Sequence, residues 1–338
     1  MPKYVGLDLG QATTKIYEKG RGIVLREPTA IAYDTVQGDV IAVGKDARKM
    51  YGRTPKDKEA VLPLKGGVID SFVDTSEVLY SFFAKNGYMG LFNRPKVAIG
   101  VPWGISEVER NAFENVCLEA GATSVTHLVA QPMAAALGAG INVLKAKGNL
   151  ICDIGGGKTQ TAVISYRGVL HAGITRVGGT DLDAAIISYI KNTFNVLIGE
   201  NTAELIKKTA GSAHPMFDKG NFRVYGKDIV TGRATAVSIT SAEVRGSMIE
   251  SFERIVDGIH ATLENMPPRI AADIYDTGMT LCGGTSLLPG IDKLLEQALG
   301  MPVRRASRPL DCIVKGIGKI IDSPGELAEV VSRQEMLD

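Results

Sequence analysis

The chain has 338 residues, 45% of them hydrophobic and 22% charged, with a formal net charge of +1. That length exceeds one ordinary core and sets an expectation of about two domains. The near-zero charge gives no support for a nucleic-acid partner held through phosphate neutralisation. The four cysteines (Cys117, Cys152, Cys282, Cys312) and four histidines lie far apart with no CxxC pair. This argues against a metalloenzyme and for buried thiols in a reducing cytosol. No apolar run reaches ~18 residues and a strand begins at once, so neither a spanning helix nor a signal peptide is expected, and the chain reads as cytoplasmic.

In chain order, an apolar strand from Lys3 carries Asp8 at its exit, turns at Gly10 and returns as a second strand from Thr13, followed by a tight hairpin at 19–22. A small insert over 33–74 holds a strand near Val40 and a short basic helix from Lys45 to Tyr51, without a large core of its own. A helix is expected over 74–84, and a buried strand over 96–101. A further helix runs from the capping box of Ser106 and Glu109 to about Ala120. Residues 131–140 are Ala-rich with Pro132 in the first turn, the mark of a tightly packed helix. The opening device then repeats: a strand carries Asp153, turns through Gly155, Gly156 and Gly157, and returns to a hairpin at 166–168. Helices are expected over 180–194 and 202–209, turns and short strands over 211–240, and one long amphipathic helix over 241–264. A last strand ends in Gly283 and Gly284, and a helix covers 287–299.

Strands and helices that alternate in two similar halves imply an α/β fold with crossover connections. Ligands of open α/β sheets lie beyond the carboxyl ends of the strands, where all three glycine turns sit. Glycine permits backbone conformations in which N–H groups converge on an anion, and a neighbouring Asp holds hydrated Mg²⁺. One such turn is more often an ordinary turn. Two facing turns would grip a nucleoside triphosphate from both sides.

On these residues the chain resembles the actin, Hsp70 and hexokinase superfamily. Asp8 to Lys15 matches its phosphate-1 motif, Asp153 to Thr159 its phosphate-2 motif, Leu281 to Gly290 its adenosine motif, and Gln131 to Gly140 and Pro309 to Lys319 its two connecting segments. Gly22-Ile-Val-Leu, Gly52-Arg53-Thr54-Pro55, Pro132-Met-Ala-Ala-Ala and Leu197-Ile-Gly199-Glu200 are similar to MreB-like bacterial actins, a likeness that covers residues 3–322. The resemblance implies an actin-like fold of two duplicated α/β domains, each with a smaller inserted subdomain, and a nucleotide cleft between them. Subdomain IA would comprise 1–32, 75–147 and 313–338, IB 33–74, IIA 148–180 and 241–312, and IIB 181–240. It also implies ATP and Mg²⁺ as cofactors and self-association into protofilaments, commonly paired and antiparallel, that serve cell shape or intracellular organisation.

Carried over by position, Asp8 and Asp153 would organise Mg²⁺ through its waters. Gly10, Gln11, Lys15, Gly155, Gly156, Gly157 and Lys158 would hold the phosphates. Glu204 and Lys207, three apart on a helix face, match a ribose-contacting pair, and Gly283, Gly284 and Thr285 would pack on the adenine. The family motif has threonine at Lys158, an acid at Gln160 and paired glutamates at Ala130 and Gln131. Gln131 can orient the attacking water but, as an amide, cannot accept its proton. The expectation is nucleotide binding with slow or absent hydrolysis. The Lys158 ammonium either meets the terminal phosphate or pairs with a carboxylate such as Asp153. Leu91 and Phe92, in the 88–94 loop beside Arg94 and Lys96, either touch the inner face of the cell membrane or fill a gap in the first domain. Membrane proteins of an MreB-type system are then expected partners. The alternatives are an Hsp70-like monomeric chaperone or reactivating ATPase and a small-molecule kinase.

Overall fold

The computed structural model describes residues 3–90, 93–264, 266–325, 327 and 330. Leu91 and Phe92, named for membrane contact, lie outside the described residues.

Two five-stranded sheets organise the chain. In the first, Tyr4–Leu9 pairs parallel with Lys96–Val101, and that strand pairs parallel with Ser124–Ala130. On its other side Thr13–Glu18 and Gly22–Pro28 fold back antiparallel. The second sheet repeats the plan. Asn149–Ile154 leads an antiparallel meander through Thr159–Ser165 and Gly168–Thr175, and Met279–Cys282 and Val303–Arg305 add in parallel on the other side. The duplication extends to register: Asp8 faces Lys15 in the first sheet, and Asp153 faces Gln160 in the second. The leading strands are nearly continuous apolar runs because both faces are covered.

One core joins Val5, Leu7 and Ile16 to Phe82, Phe83 and Phe113 of the flanking helices, and another joins Leu150 and Ile154 to Leu182, Ile186, Phe252 and Ile259. A third lies between the sheets, where the helices Gln131–Ala139 and Cys312–Asp322 pack with Ala98, Ile151 and Ile164. Glycine makes their close crossing possible. A Cβ on Gly138 would overlap the Cys312 carbonyl, and one on Gly316 would overlap the Ala134 carbonyl. The cleft lies above this crossing.

Each half carries an insert. Val40–Val43, Ile31–Asp34 and Lys58–Val61 form a small sheet with the helix Lys45–Met50, around the alanines Ala30, Ala32, Ala47 and Ala60. Val196–Leu197, Asn221–Asp228 and Ala234–Thr240 form the other. A two-stranded hairpin, Leu64–Lys65 and Val68–Ile69, turns through Gly66 and Gly67 at φ 58° and 81°.

The structure departs from sequence expectation in four elements. The single helix over 241–264 is two, Ser241–Ser247 and Ile249–Leu263, broken where the Ser247 hydroxyl bonds back to the Val244 carbonyl. The helix placed at 287–299 begins at Ile291, because Gly290 at φ 79° interrupts it. A helix not expected from the sequence, Pro268–Thr277, opens at Pro268. Ser124–Ala130 is a strand that the polar Ser-Val-Thr-His pattern concealed. Among the described residues no helix is long and apolar enough to cross a membrane.

Candidate functional site

The two Asp–Gly turns meet in one cleft. Asp8, Gly10, Gln11 and Lys15 line one wall, and Asp153, Gly155, Gly156, Gly157 and Lys158 the other. Gln131, Gly283, Gly284 and Gly67 complete it. The second turn is tied back to the protein by its carbonyls. Gly155 O accepts from Gly179 N at 3.0 Å and from Thr285 Oγ1 at 2.8 Å, and Gly156 O accepts from Thr180 N at 2.8 Å. A loop whose carbonyls are consumed in this way keeps its N–H edge for an anion. No side chain fits at its tip, since a Cβ on Gly157 would overlap the Gln11 amide oxygen.

Charge in the cleft is closely balanced. Lys15 Nζ lies 2.9 Å from Asp8 Oδ2 in a buried ion pair. Burial, and then the neighbouring Asp8 carboxylate, push the Asp153 carboxyl up to about 6. Burial pulls the Lys158 ammonium down to about 7, against the opposing pull of Asp153, Asp8 and Glu109. Two buried polar atoms here lack hydrogen-bond partners: Lys158 Nζ and Gln11 Oε1. A buried unpaired cation is costly unless an anion joins it, so the cleft is built for an anionic ligand. No group of three or more His, Cys, Asp or Glu able to hold a metal occurs among the described residues. A divalent cation here would therefore rest on Asp8 and Asp153 through water and on a ligand's own oxygens, a mode Mg²⁺ accepts. The mutual repulsion of the two aspartates fits such an ion.

At the base of the cleft, Gln160 Nε2 donates to Gln131 Oε1 at 2.8 Å, Gln131 Nε2 donates to Gly100 O at 3.3 Å, and Trp103 N donates to Gln160 Oε1 at 3.2 Å. Of the remaining sequence candidates, Glu204, Lys207 and Thr285 flank the cleft without lining it. Lys207 Nζ donates to Asp183 Oδ2 at 2.8 Å and to Gly179 O at 2.5 Å. Glu204 accepts from Lys208 at 2.6 Å and from Arg48 at 3.2 Å, so Glu204 and Lys207 share a helix but not a partner. Arg48 belongs to the first insert and Glu204 to the second, and Asn201 Nδ2 donates to Tyr51 O at 3.0 Å beside them. The inserts thus touch across the cleft mouth. Sequence reasoning missed Arg48 and Gly67, although the Gly66–Gly67 doublet was a signal for a tight turn.

A sequence model of the family described as MreB/Mbl protein matches residues 2–329. The chain belongs to the MreB/Mbl family. It is 39% identical over 323 residues to the cell shape-determining protein Mbl of Bacillus subtilis, covering 96% of this chain and 97% of that one. It is 41% identical over 324 residues to the cell shape-determining protein MreB of Escherichia coli, covering 94% and 93%. The structure superposes on the crystal structure of MreB 5 of Spiroplasma citri bound to AMPPNP with a TM-score of 0.92 at 36% identity, covering 97% and 98% of the two chains. The fold is therefore actin-like, and the duplicated sheets are the two halves of an MreB/Mbl body.

Proposed function

We propose that the chain is an ATP-binding, filament-forming cytoskeletal protein acting in cell shape or intracellular organisation. The observation that carries this reading is the convergence of two topologically equivalent Asp–Gly turns on one cleft, with the buried, unpartnered Lys158 ammonium among them. An adenine nucleotide brings phosphate oxygens to Lys158 and to the N–H edges of the turns. Mg²⁺ rests on Asp8 and Asp153 through water and offsets phosphate charge. Gly10, Gln11, Lys15 and Gly155 to Gly157 hold the phosphates, Glu204 and Lys207 face the ribose, and Gly283, Gly284 and Thr285 bound the adenine. The likeness to a nucleotide-bound MreB and to two cell shape-determining proteins supports the assignment.

Hydrolysis is slow in this reading, because Gln131 orients water but is held in an amide chain and accepts no proton. The sheets support a four-part division into 1–32 with 75–147 and 313–338, 33–74, 148–180 with 241–312, and 181–240. A five-stranded sheet falls in the first and third parts and a three-stranded sheet in the fourth. Residues 33–74 take the hairpin and most of the other three-stranded sheet, whose strand Ile31–Asp34 crosses the first boundary. Filaments of paired, antiparallel protofilaments gather at the inner face of the cell membrane. Tyr4 is 41% exposed and flanked by Lys19 Nζ at 5.9 Å and Lys96 Nζ at 5.7 Å, a basic and aromatic patch suited to anionic headgroups. ATP-dependent sedimentation with electron microscopy tests the reading. Filaments that need ATP support it, and soluble monomers at every ATP concentration overturn it.

A further inference from the structure

The cleft holds two lysines where phosphate charge must be neutralised, and they stand in different positions. Lys15 is committed: its ammonium sits on Asp8 Oδ2, one of the oxygens that a hydrated divalent cation would use. Lys158 is uncommitted. Only 8% of its surface is exposed, its Nζ has no hydrogen-bond partner, and it faces the cleft together with Asp153 and Gly283.

The Lys158 stem is also clamped. A Cβ built on Gly67 would lie 2.5 Å from Lys158 Cε, 2.6 Å from Cδ and 2.8 Å from Nζ. The Gly66–Gly67 turn therefore lies directly on the lysine stem and keeps the ammonium from swinging out to solvent. A charge held in place before the ligand arrives loses little freedom on binding. Each strong charge-assisted hydrogen bond to phosphate contributes about 10- to 100-fold in affinity.

We propose that Lys158 is a built-in cation for the terminal phosphate, so that this chain keeps its nucleoside triphosphate when the divalent cation is withdrawn. The proposal rests on the ATP reading of the cleft and adds how that cleft neutralises its ligand. Lys158 takes a share of the phosphate charge that would otherwise fall to the metal ion. It does so from the side opposite the Asp8–Lys15 pair.

The test is equilibrium binding of ATP to the full chain, in excess Mg²⁺ and in excess EDTA, for the natural protein and for Lys158→Thr, Lys158→Met and Lys158→Arg. EDTA is expected to weaken the natural protein and Lys158→Arg by less than about tenfold, and the Thr and Met variants by about 100-fold or more. Removing a buried unpaired charge favours folding, and a thermal melt of each variant checks that it is folded. An equal loss on EDTA treatment in natural and Thr proteins overturns the proposal while leaving the ATP reading intact. Absence of ATP binding to the natural protein even with Mg²⁺ overturns both.

Discussion

Gln160 donates its side-chain amide to the side-chain carbonyl of Gln131 at 2.8 Å, joining the two halves of the molecule at the base of the cleft. Each glutamine offers both a donor and an acceptor, so the chain from Gly100 O to Trp103 N closes without an unpaired group. Two carboxylates in the same places could not close it. The arrangement trades a proton acceptor for a satisfied network. Gln131→Glu is therefore expected to raise ATP turnover about 100-fold, the lower end of general-base effects. It should also cost about 1 kcal/mol of stability through loss of the bond to Gly100 O. Phosphate release from filaments and denaturant melts measure the two effects, and unchanged turnover would count against Gln131 as the water-orienting residue.

Asp153 is destabilised where it stands. Burial and then Asp8 raise its carboxyl from 3.8 to about 6. The folded, nucleotide-free protein thus holds this proton more tightly than the unfolded chain does. The contribution to stability is fully present below about 4 and is lost as pH rises through about 6. Asp153→Asn is expected to flatten that slope and to raise stability at pH 7 by on the order of 1–3 kcal/mol. It should also abolish stabilisation by ATP and Mg²⁺. Urea melts at several pH values with and without nucleotide test both halves, and an unchanged pH slope contradicts the burial argument.

Much of this architecture was legible because it depends on short-range chemistry. Asp8 and Asp153 are each followed by a glycine turn, and the Ser106–Glu109 capping box forms as its spacing requires. Residues 166–168 make the expected hairpin even though Tyr166 and Arg167, at φ 44° and 66°, carry side chains in the left-handed region. What stayed hidden depends on distant parts of the chain. No local pattern indicates that Arg48 would reach Glu204, 156 positions away, or that Gly67 would cover Lys158. The Glu204 and Lys207 spacing placed both on one helix, but Lys207 is bonded to Asp183, and Glu204 reaches Arg48 of the other insert as well as Lys208 of its own helix.

Lys207 and Asp183 form a pair in which each side chain is only 12% exposed. Burial raises the Asp183 carboxyl to about 6 even against the pull of Lys207. Lys207→Ala strands that carboxylate and is expected to cost about 3–5 kcal/mol, and adding Asp183→Asn should recover a large part. A Lys207→Ala protein of natural stability with weakened ATP binding would assign the lysine to the ribose alone. Denaturant melts and ATP titration of the single and double variants separate the two roles.

Arg48 and Glu204 bridge the inserts across the cleft mouth at 3.2 Å, with side chains 26% and 32% exposed. A partly solvated pair of this kind contributes up to about 1 kcal/mol. Its loss should lower the barrier to nucleotide exchange by a similar amount. Arg48→Ala is expected to speed release of a fluorescent ATP analogue by up to about fivefold, with the melting temperature little changed. Release that is no faster would show that the bridge does not restrain the mouth.

The helices Gln131–Ala139 and Cys312–Asp322 cross backbone to backbone, and this crossing connects the two halves beneath the cleft. At Gly138 the obstacle to a side chain is the Cys312 carbonyl, and at Gly316 it is the Ala134 carbonyl. Neither is the movable end of a side chain, so an added methyl must push the helices apart. Overpacking in a close-packed core costs about 1–3 kcal/mol, and backbone obstacles place Gly138→Ala and Gly316→Ala at the upper end. Separated helices also change the angle at which the two glycine turns face each other, so each variant should bind ATP more weakly than its stability loss alone explains. Alanine at exposed Gly246, between Arg245 and Ser247, where a Cβ meets nothing within 4 Å, is the matched control and should be neutral or stabilising. Equal behaviour of the three variants in melts and ATP titrations would rule out a special role for the crossing.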